Sequence, residues 1–551
     1  MARVACQYPS NSPNQQPSPI PSYTHHPSPV SPQQSLGHAN WTVEDPDLMP
    51  TQDDWTLVYR YITNNGQSPP VMFSIDGDLH LRNYFRSSPA LRLISAAVSA
   101  HVVTPPVPET IALSYYKRAR KAIAWAMNQE QTVETIQSLY WLYLFSTWKG
   151  QPVIGRAFLK MALEVILNLR MNIDPDDSPW LYHLNLSPRE KEGRRRAFWA
   201  SYQMYQWEYA LSIDTEYINI SDQWMKPPTQ IYDPHLIFTD CRHAKAESAV
   251  YALLGDLKRH LYIPPNSIND LFGSKATAAL NSRLIQIHQS APIDILLIAE
   301  SSFRISESDA VRFLNQLSAI SVQDIPFVFS VNMNLLASAS ILLRPKLYLS
   351  SLKCCVPSFL TPEKHSIIIS AIQESLDAAN RIACLIAFYM DAGTRNISQG
   401  FFFRPLKLLV YPIFDAMIVF WFVKCRMDPV WAPLAGQLFT WNMLKDRVAG
   451  MMDFVHKLKE TELKRGVQAG AMLPLTQCME AMMREMESVE CGGRREPSPL
   501  NNEGSPDFEE IVLGMNMVSL TEFDGDYLAY KLGEEFGGKE EARSHGDYFG
   551  N

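Results

Sequence analysis

"TIQSLYWLYLFSTWKGQPVIGRAFLKMALEVILNLRMNID", residues 135–174, decides the fold. In its first half Ile136, Tyr140 and Leu144 continue a stripe that begins at Val133. Leu139, Leu142, Tyr143 and Phe145 fill most of the remaining circumference. A helix that is apolar nearly all round is expected at the centre of a bundle. In the second half Phe158, Met161, Ala162, Val165, Ile166 and Leu169 share one face, with Lys160 and Glu164 at i,i+4 on the other.

The same texture extends both ways. Upstream, "ALSYYKRARKAI" (112–123) places Ala112, Tyr115, Tyr116, Ala119, Ala122 and Ile123 at helical spacing, with Ala126 beyond, and Lys117, Arg118 and Lys121 on the wet side. Downstream, Ser187-Pro188-Arg189-Glu190 is a capping box with proline at the first helical position. Thr361-Pro362-Glu363 repeats that pattern before a helix holding Ile369, Ile372, Leu376 and Ala379. A further helix is expected to start at Thr51 within "DPDLMPTQDDWTLVYRYI" (45–62). Strand signals are scarce, and Pro-rich breaks near 226–234 and 262–266 mark loops. The expected class is all-α: one large multi-helix bundle over 41–487, flanked by disordered N- and C-terminal tails.

The tails are read from composition. Residues 1–40 hold eight prolines, seven serines, five glutamines and no acid, too little apolar surface to offset chain entropy. Residues 488–506 read as a linker. Residues 507–551 interleave acids with Ile511, Val512, Leu513, Leu520, Phe523, Tyr527, Leu528 and Phe536, the pattern of an activation segment. A short helix docking back on the body would carry the same pattern. Net charge is −8, but residues 501–551 hold 12 acids against 3 bases, −9, so residues 1–500 sum to about +1. The body offers no strong field for nucleic acid, and the tail would repel it. An apolar share of 46% with 19% charged residues is that of a globular chain. The most apolar stretch, Leu408 to Val423, is shorter than a membrane span and interrupted by Pro412 and Asp415, so a buried helix and no membrane are expected.

Together these segments resemble the fungal-specific transcription factor domain, the middle homology region of fungal zinc-cluster regulators. "YYKRARKAI" (115–123) is similar to its aromatic-plus-"RAR" helix, and residues 135–174 to its next helical pair. "REKEGRRRAFWASYQMYQWEYAL" (189–211) resembles its Arg-Arg-x-x-Trp element. "LMPTQDDWTLVYRY" (48–61) resembles the segment leading in, and "LLRPKLY" (342–348) fits a later helix end. The likeness is good over 50–230 and lies at the level of helical texture to about 460. It implies a nuclear transcription regulator of RNA polymerase II genes, not an enzyme. Such a protein would reach DNA through a zinc module and the transcription machinery through the acidic tail, as a homo- or heterodimer where dimerisation applies.

The chemistry of a zinc cluster is not in this chain. The family's six-cysteine cluster uses Cys-x2-Cys-x6-Cys half-sites, and before Cys241 only Cys6 is found. One thiolate cannot organise tetrahedral zinc, and His25 with His26 has no cysteine pair beside it. Zinc would enter only with a cluster N-terminal to these residues. The alternative is a helical scaffold that binds partners without binding DNA. The eight scattered cysteines are expected as reduced thiols, and the adjacent Cys354 and Cys355, not spaced for a metal, as a pair in a helix-to-loop segment. No catalytic, cofactor-binding or metal-binding residue is assigned.

Two motifs carry alternative chemistry. Lys191 with Arg194, Arg195 and Arg196 fits an import signal or phosphate patch, though the solvated first turns of a buried helix are expected, with Glu190 and Glu192 offsetting the cations. Asp174-Pro175-Asp176-Asp177 has the look of a metal-binding motif in a helical isoprenoid enzyme. Its prolines, with Pro179, instead predict a loop.

Overall fold

Residues that cap well start the helices. Thr51 accepts from the Asp54 amide at 3.1 Å and Asp54 accepts from the Thr51 amide at 2.9 Å, so α1 (Gln52–Asn64) begins at the expected threonine. In the computed structural model the described residues are 46–64, 74–103, 107–212, 215–228, 242–263, 267–297, 312, 315, 325–395, 409–438, 440–464 and 472–490. Helix, 3-10 turns included, accounts for 82% of them; sixteen α-helices and no strand occur among them. The chain is all-α. From Asp47 onward the described residues belong to one compact unit.

After α1 come α2 (Gly77–Asn83), α3 (Pro89–Val102), α4 (Glu109–Ala126), α5 (Val133–Trp148), α6 (Pro152–Asn168) and α7 (Pro188–Leu211). Then follow α8 (Arg242–Tyr262), α9 (Ile268–Phe272), α10 (Lys275–Ser290), α11 (Ile325–Tyr348) and α12 (Pro362–Arg395). The series ends with α13 (Val410–Cys425), α14 (Ala432–Leu438), α15 (Trp441–Lys464) and α16 (Met472–Glu490). Neighbours in sequence pack as pairs, α3 on α4, α5 on α6, α7 on α8 and α11 on α12. The helix expected to end at 487 runs three residues further, to Glu490. The Pro/Ser/Gln segment, the rest of the linker and the acidic segment lie outside the described residues, as do 229–234 and 264–266 of the two Pro-rich breaks.

Helix α5 is central: every residue from Thr135 to Ser146 is buried. Trp141 donates from Nε1 to Ser74 Oγ at 2.7 Å, and Gln137 donates to the Ser74 carbonyl at 2.8 Å, so its polar groups are paired inside. In α6 the buried arc is Leu159, Ala162, Leu163, Val165 and Ile166, whereas Phe158, Met161 and Leu169 are only half-buried. The expected face is rotated because α6 contacts both α5 and α7. Gly155 sets that rotation, since a Cβ there would meet Thr147 Oγ1 at 2.9 Å and the Tyr143 carbonyl at 3.1 Å. In α12 the inner face starts at Ile368, and Ile369 is half-buried.

Helix α7 joins two apolar cores. Phe198, Trp199 and Tyr202 pack together in the first. Trp207, Ala210 and Leu211 enter a second that extends to Met486. There Trp207 sits edge-on to Tyr251 and Tyr411, ring centroids 5.1 Å away in each case. Such rings add about 0.5–1.5 kcal/mol per pair beyond their buried area. Helix α13, the most apolar stretch, is buried on almost every side, as expected. The aspartate that interrupts it, Asp415, pairs inside the core with Arg344 of the "LLRPKLY" segment. Among the described residues one stretch, Phe327–Ser351, is long and apolar enough to cross a membrane, and most of it is buried inside the structure.

Candidate functional site

The acidic motif and the basic run, far apart in character, form one site. The loop after α6 holds Asp174 with no exposure at all. Arg195, one-tenth exposed on α7, donates to it twice, Nε to Oδ2 at 2.8 Å and Nη2 to Oδ1 at 2.8 Å. Arg195 Nη2 also reaches Asp176 at 2.6 Å, and Lys191 reaches Asp176 at 2.8 Å. Lys226 closes the group, 3.1 Å from Asp177, 3.6 Å from Asp174 and 3.8 Å from Asp176. Backbone amides complete the Asp174 shell: Asp176 donates at 3.0 Å and Lys226 at 3.2 Å.

Local geometry explains the arrangement. Pro175 and Pro179 keep 174–178 out of helix, and Pro179 opens a short 3-10 turn, Pro179–Leu184. The Asp174 amide donates to the Trp224 carbonyl at 2.9 Å, and Trp199 Nε1 donates to the Lys226 carbonyl at 3.0 Å. Helix α7 thus pins both the 174–178 loop and the 222–227 segment through one arginine and one tryptophan four residues apart. The expectation of solvated first turns is corrected: Arg195 and Arg196 are buried, at 9% and 2% exposure. The compensation comes chiefly from Asp174 and Asp176 of the preceding loop, because that loop folds back over the helix start. Glu192 assists Arg195 at 3.4 Å, while Glu190 is used in the cap.

Electrostatics follow the contacts. Burial alone would raise the Asp174 carboxyl, but the Arg195 hydrogen bonds, two backbone amides and the nearby charge hold it below the usual carboxylate range. Asp176 is lowered first by its bond from Lys191, against a smaller opposing effect of burial. Arg189, on the same helix, grips Asp76 at 2.6 Å and Asp78 at 3.0 Å. Burial raises the Asp76 carboxyl, but the Arg189 hydrogen bond, the Leu79 amide and the charges of Arg189 and Arg196 together hold it below the usual carboxylate range. Every carboxylate of the 174–177 motif therefore faces a cation of this chain. A divalent-metal set needs carboxylates converging with their charge uncompensated, and among the described residues no group of three or more His, Cys, Asp or Glu could hold a metal ion. An open groove borders the network, lined by Ile173, Trp180, Trp224, Met225 and Lys245.

A second polar centre has no sequence signal. Glu247 on α8 is fully buried where α7, α8 and α11 meet. Gln203 donates to it at 2.6 Å and Tyr251 at 3.1 Å, and the Tyr251 hydroxyl also lies 3.1 Å from Ser330 Oγ. Burial pushes its carboxyl up to about 7, with the Ser330, Tyr251 and Gln203 hydrogen bonds opposing. Glu208, also buried, accepts from Tyr143 at 2.7 Å and ties α7 to α5. Nothing in the spacing around Glu247 distinguishes it from a surface glutamate, since its partners come from three separate helices.

Four of the five stretches that carry the family resemblance are joined to one another. Tyr115 donates to Asp54 at 2.6 Å, linking "YYKRARKAI" to "LMPTQDDWTLVYRY". Tyr116 stacks on Phe145 at 4.9 Å and bonds Ser146 at 2.7 Å, linking it to residues 135–174. Asp174 and Arg195 link those residues to "REKEGRRRAFW". Comparison with family models, with curated proteins and with solved structures found no match to this chain.

Proposed function

We propose that this chain is a nuclear transcription regulator of the fungal zinc-cluster type, acting through its helical body. The observation that carries the proposal is the chain of contacts just described. The first four segments that resemble the regulatory domain meet in sequence order, Tyr115, Tyr116 and Arg195 of its aromatic and Arg-Arg-x-x-Trp elements among the contacts. A helical bundle with polar links buried at its joints is suited to holding partner-binding or inhibitory surfaces in fixed relation. In this proposal DNA is reached through a zinc module N-terminal to these residues or through a dimer partner. The acidic 507–551 segment recruits the transcription machinery: its acids keep the apolar side chains solvated until a partner groove takes them.

Fusing residues 501–551 to a heterologous DNA-binding domain tests recruitment, with reporter activation expected. Chromatin occupancy of the tagged full chain tests the whole. Specific occupancy at a set of promoters is expected, and a cytoplasmic protein with none would overturn the proposal. The presence of Cys6 alone before Cys241 favours a second reading, a partner-binding scaffold that sequesters a regulator. It predicts partner capture with no promoter occupancy even when the partner is present.

A further inference from the structure

The connection after α11 runs through three short 3-10 turns, Leu349–Ser351, Lys353–Cys355 and Pro357–Phe359. The middle turn carries two adjacent thiols. Cys354 is exposed, whereas Cys355 is 2% exposed and belongs to the second core. Their sulfurs lie 3.9 Å apart.

That spacing selects a chemistry. Across a trans peptide adjacent Cα atoms are about 3.8 Å apart. Disulfides ordinarily need at least about 4.4 Å. Direct S–S closure is therefore strained. The separation instead brings two sulfurs within reach of one soft centre: bonds of about 2.3 Å at the roughly 95° angles of a pyramidal centre set two thiolates about 3.4 Å apart, about 0.5 Å closer than they stand. Among the described residues no third His, Cys, Asp or Glu joins the pair to make a metal site. A centre that two sulfurs satisfy, its remaining valence already filled, needs no such third group.

We infer that Cys354 and Cys355 form a dithiol site for trivalent organoarsenicals. With an arsenic(III) oxide R–As=O, the exposed Cys354 thiol adds first: one As–S bond forms and the thiol proton passes to the oxide oxygen. Cys355 then displaces the resulting hydroxyl. The second As–S bond forms, the second thiol proton leaves with that hydroxyl as water, and arsenic stays trivalent. No oxidant is needed. Burial, and then the neighbouring Cys354, push the Cys355 thiol up, with Lys364 opposing, so its proton is present to leave with the water.

The site is coupled to the fold. The Cys355 amide donates to Leu352 at 2.9 Å, and Ser350 of the preceding turn accepts from Asp428 just past α13 at 3.0 Å. Ring closure draws the Cys355 sulfur from the core toward the solvent-facing Cys354. The second step is therefore slower than the first and gated by opening of this turn. The inference does not depend on the regulatory function proposed above.

The test uses the full-length chain with phenylarsine oxide, read by intact mass and peptide mapping. One adduct is expected on the peptide that holds both cysteines. It should survive excess 2-mercaptoethanol and be removed by 2,3-dimercaptopropanol. Cys354→Ser and Cys355→Ser should each lower the monothiol-resistant adduct at least tenfold. Because Cys354 lies at the surface, its serine variant reports on the site without disturbing the core. Two results would overturn the inference: a monothiol-resistant adduct that persists in Cys354→Ser, or wild-type chain that forms none at that peptide.

Discussion

Replacing Arg195 with methionine would leave the carboxylate of Asp174 buried without its principal partner. Asp174 is 0% exposed and receives two 2.8 Å hydrogen bonds from that guanidinium. Removing one member of a buried pair costs about 3–5 kcal/mol, mostly because the other charge stays desolvated. The amides of Asp176 and Lys226, at 3.0 and 3.2 Å, and the Lys226 ammonium at 3.6 Å remain, which places the cost near the lower end, about 3 kcal/mol. At about 2.1 cal/mol/K of unfolding entropy per residue, roughly 400 folded residues give about 0.8 kcal/mol/K, so Tm should fall by about 4 °C. The assay is thermal unfolding of the full chain at fixed scan rate, because a chain this size need not unfold reversibly. Adding Asp174→Asn to Arg195→Met removes the stranded charge and should recover about half the loss. The pH dependence has a definite sign. The folded carboxyl lies below its unfolded value, so its stabilising contribution is present above about pH 4 and fades as pH drops through the folded value. The difference between wild type and Arg195→Met should therefore shrink in acid. A shift under 1 °C at pH 7, or a double variant no better than the single one, would refute the view that this pair holds the joint.

Glu247→Gln should stabilise the chain at pH 7.5 and do little at pH 5. The carboxyl is pushed up to about 7, so between about 4.5 and 7 the folded state keeps a proton that the unfolded state has released, and stability falls as pH rises. The shift corresponds to a gain on the order of 3 kcal/mol above pH 7, read as a Tm difference that grows from pH 5 to 7.5; a pH-independent difference would count against it. Gly255→Ala should be strongly destabilising, because a Cβ there would lie 2.3 Å from the Tyr209 ring and 2.8 Å from its carbonyl oxygen, and α7 would have to move off α8. Overpacking of this kind costs about 1–3 kcal/mol, measurable as lost soluble yield and lowered Tm. Ser187→Ala should cost about 1 kcal/mol by opening the α7 capping box, and Ser187→Gly only a few tenths; equal losses would argue that the cap is not what is being removed.

The fold class and the helix starts were legible in the sequence because their causes are local. Periodicity over 133–148 marked α5 as central, and Ser187 and Thr51 marked starts through side chains acting within one turn. The inner faces were legible only approximately. Phe158 and Met161 share a face with Val165 on a helical wheel, yet the close approach allowed by Gly155 turns a neighbouring arc inward.

Sequence alone thus determined that this chain is helical, where its main helices begin, and that the helices at 133–148 and 410–425 are buried nearly all round, since hydrophobic periodicity and capping depend on neighbours three or four residues away. Tertiary structure alone decided what the charged residues do. Asp174 and Arg195 are 21 residues apart, and Arg344 and Asp415 are 71 apart. As isolated motifs the acidic and basic runs suggest a metal site and an import signal. Packed together, each cancels the charge of the other. Charge acts across space rather than along the chain, and only the packing of α6, α7 and α11 against their neighbours brings these partners within hydrogen-bond reach.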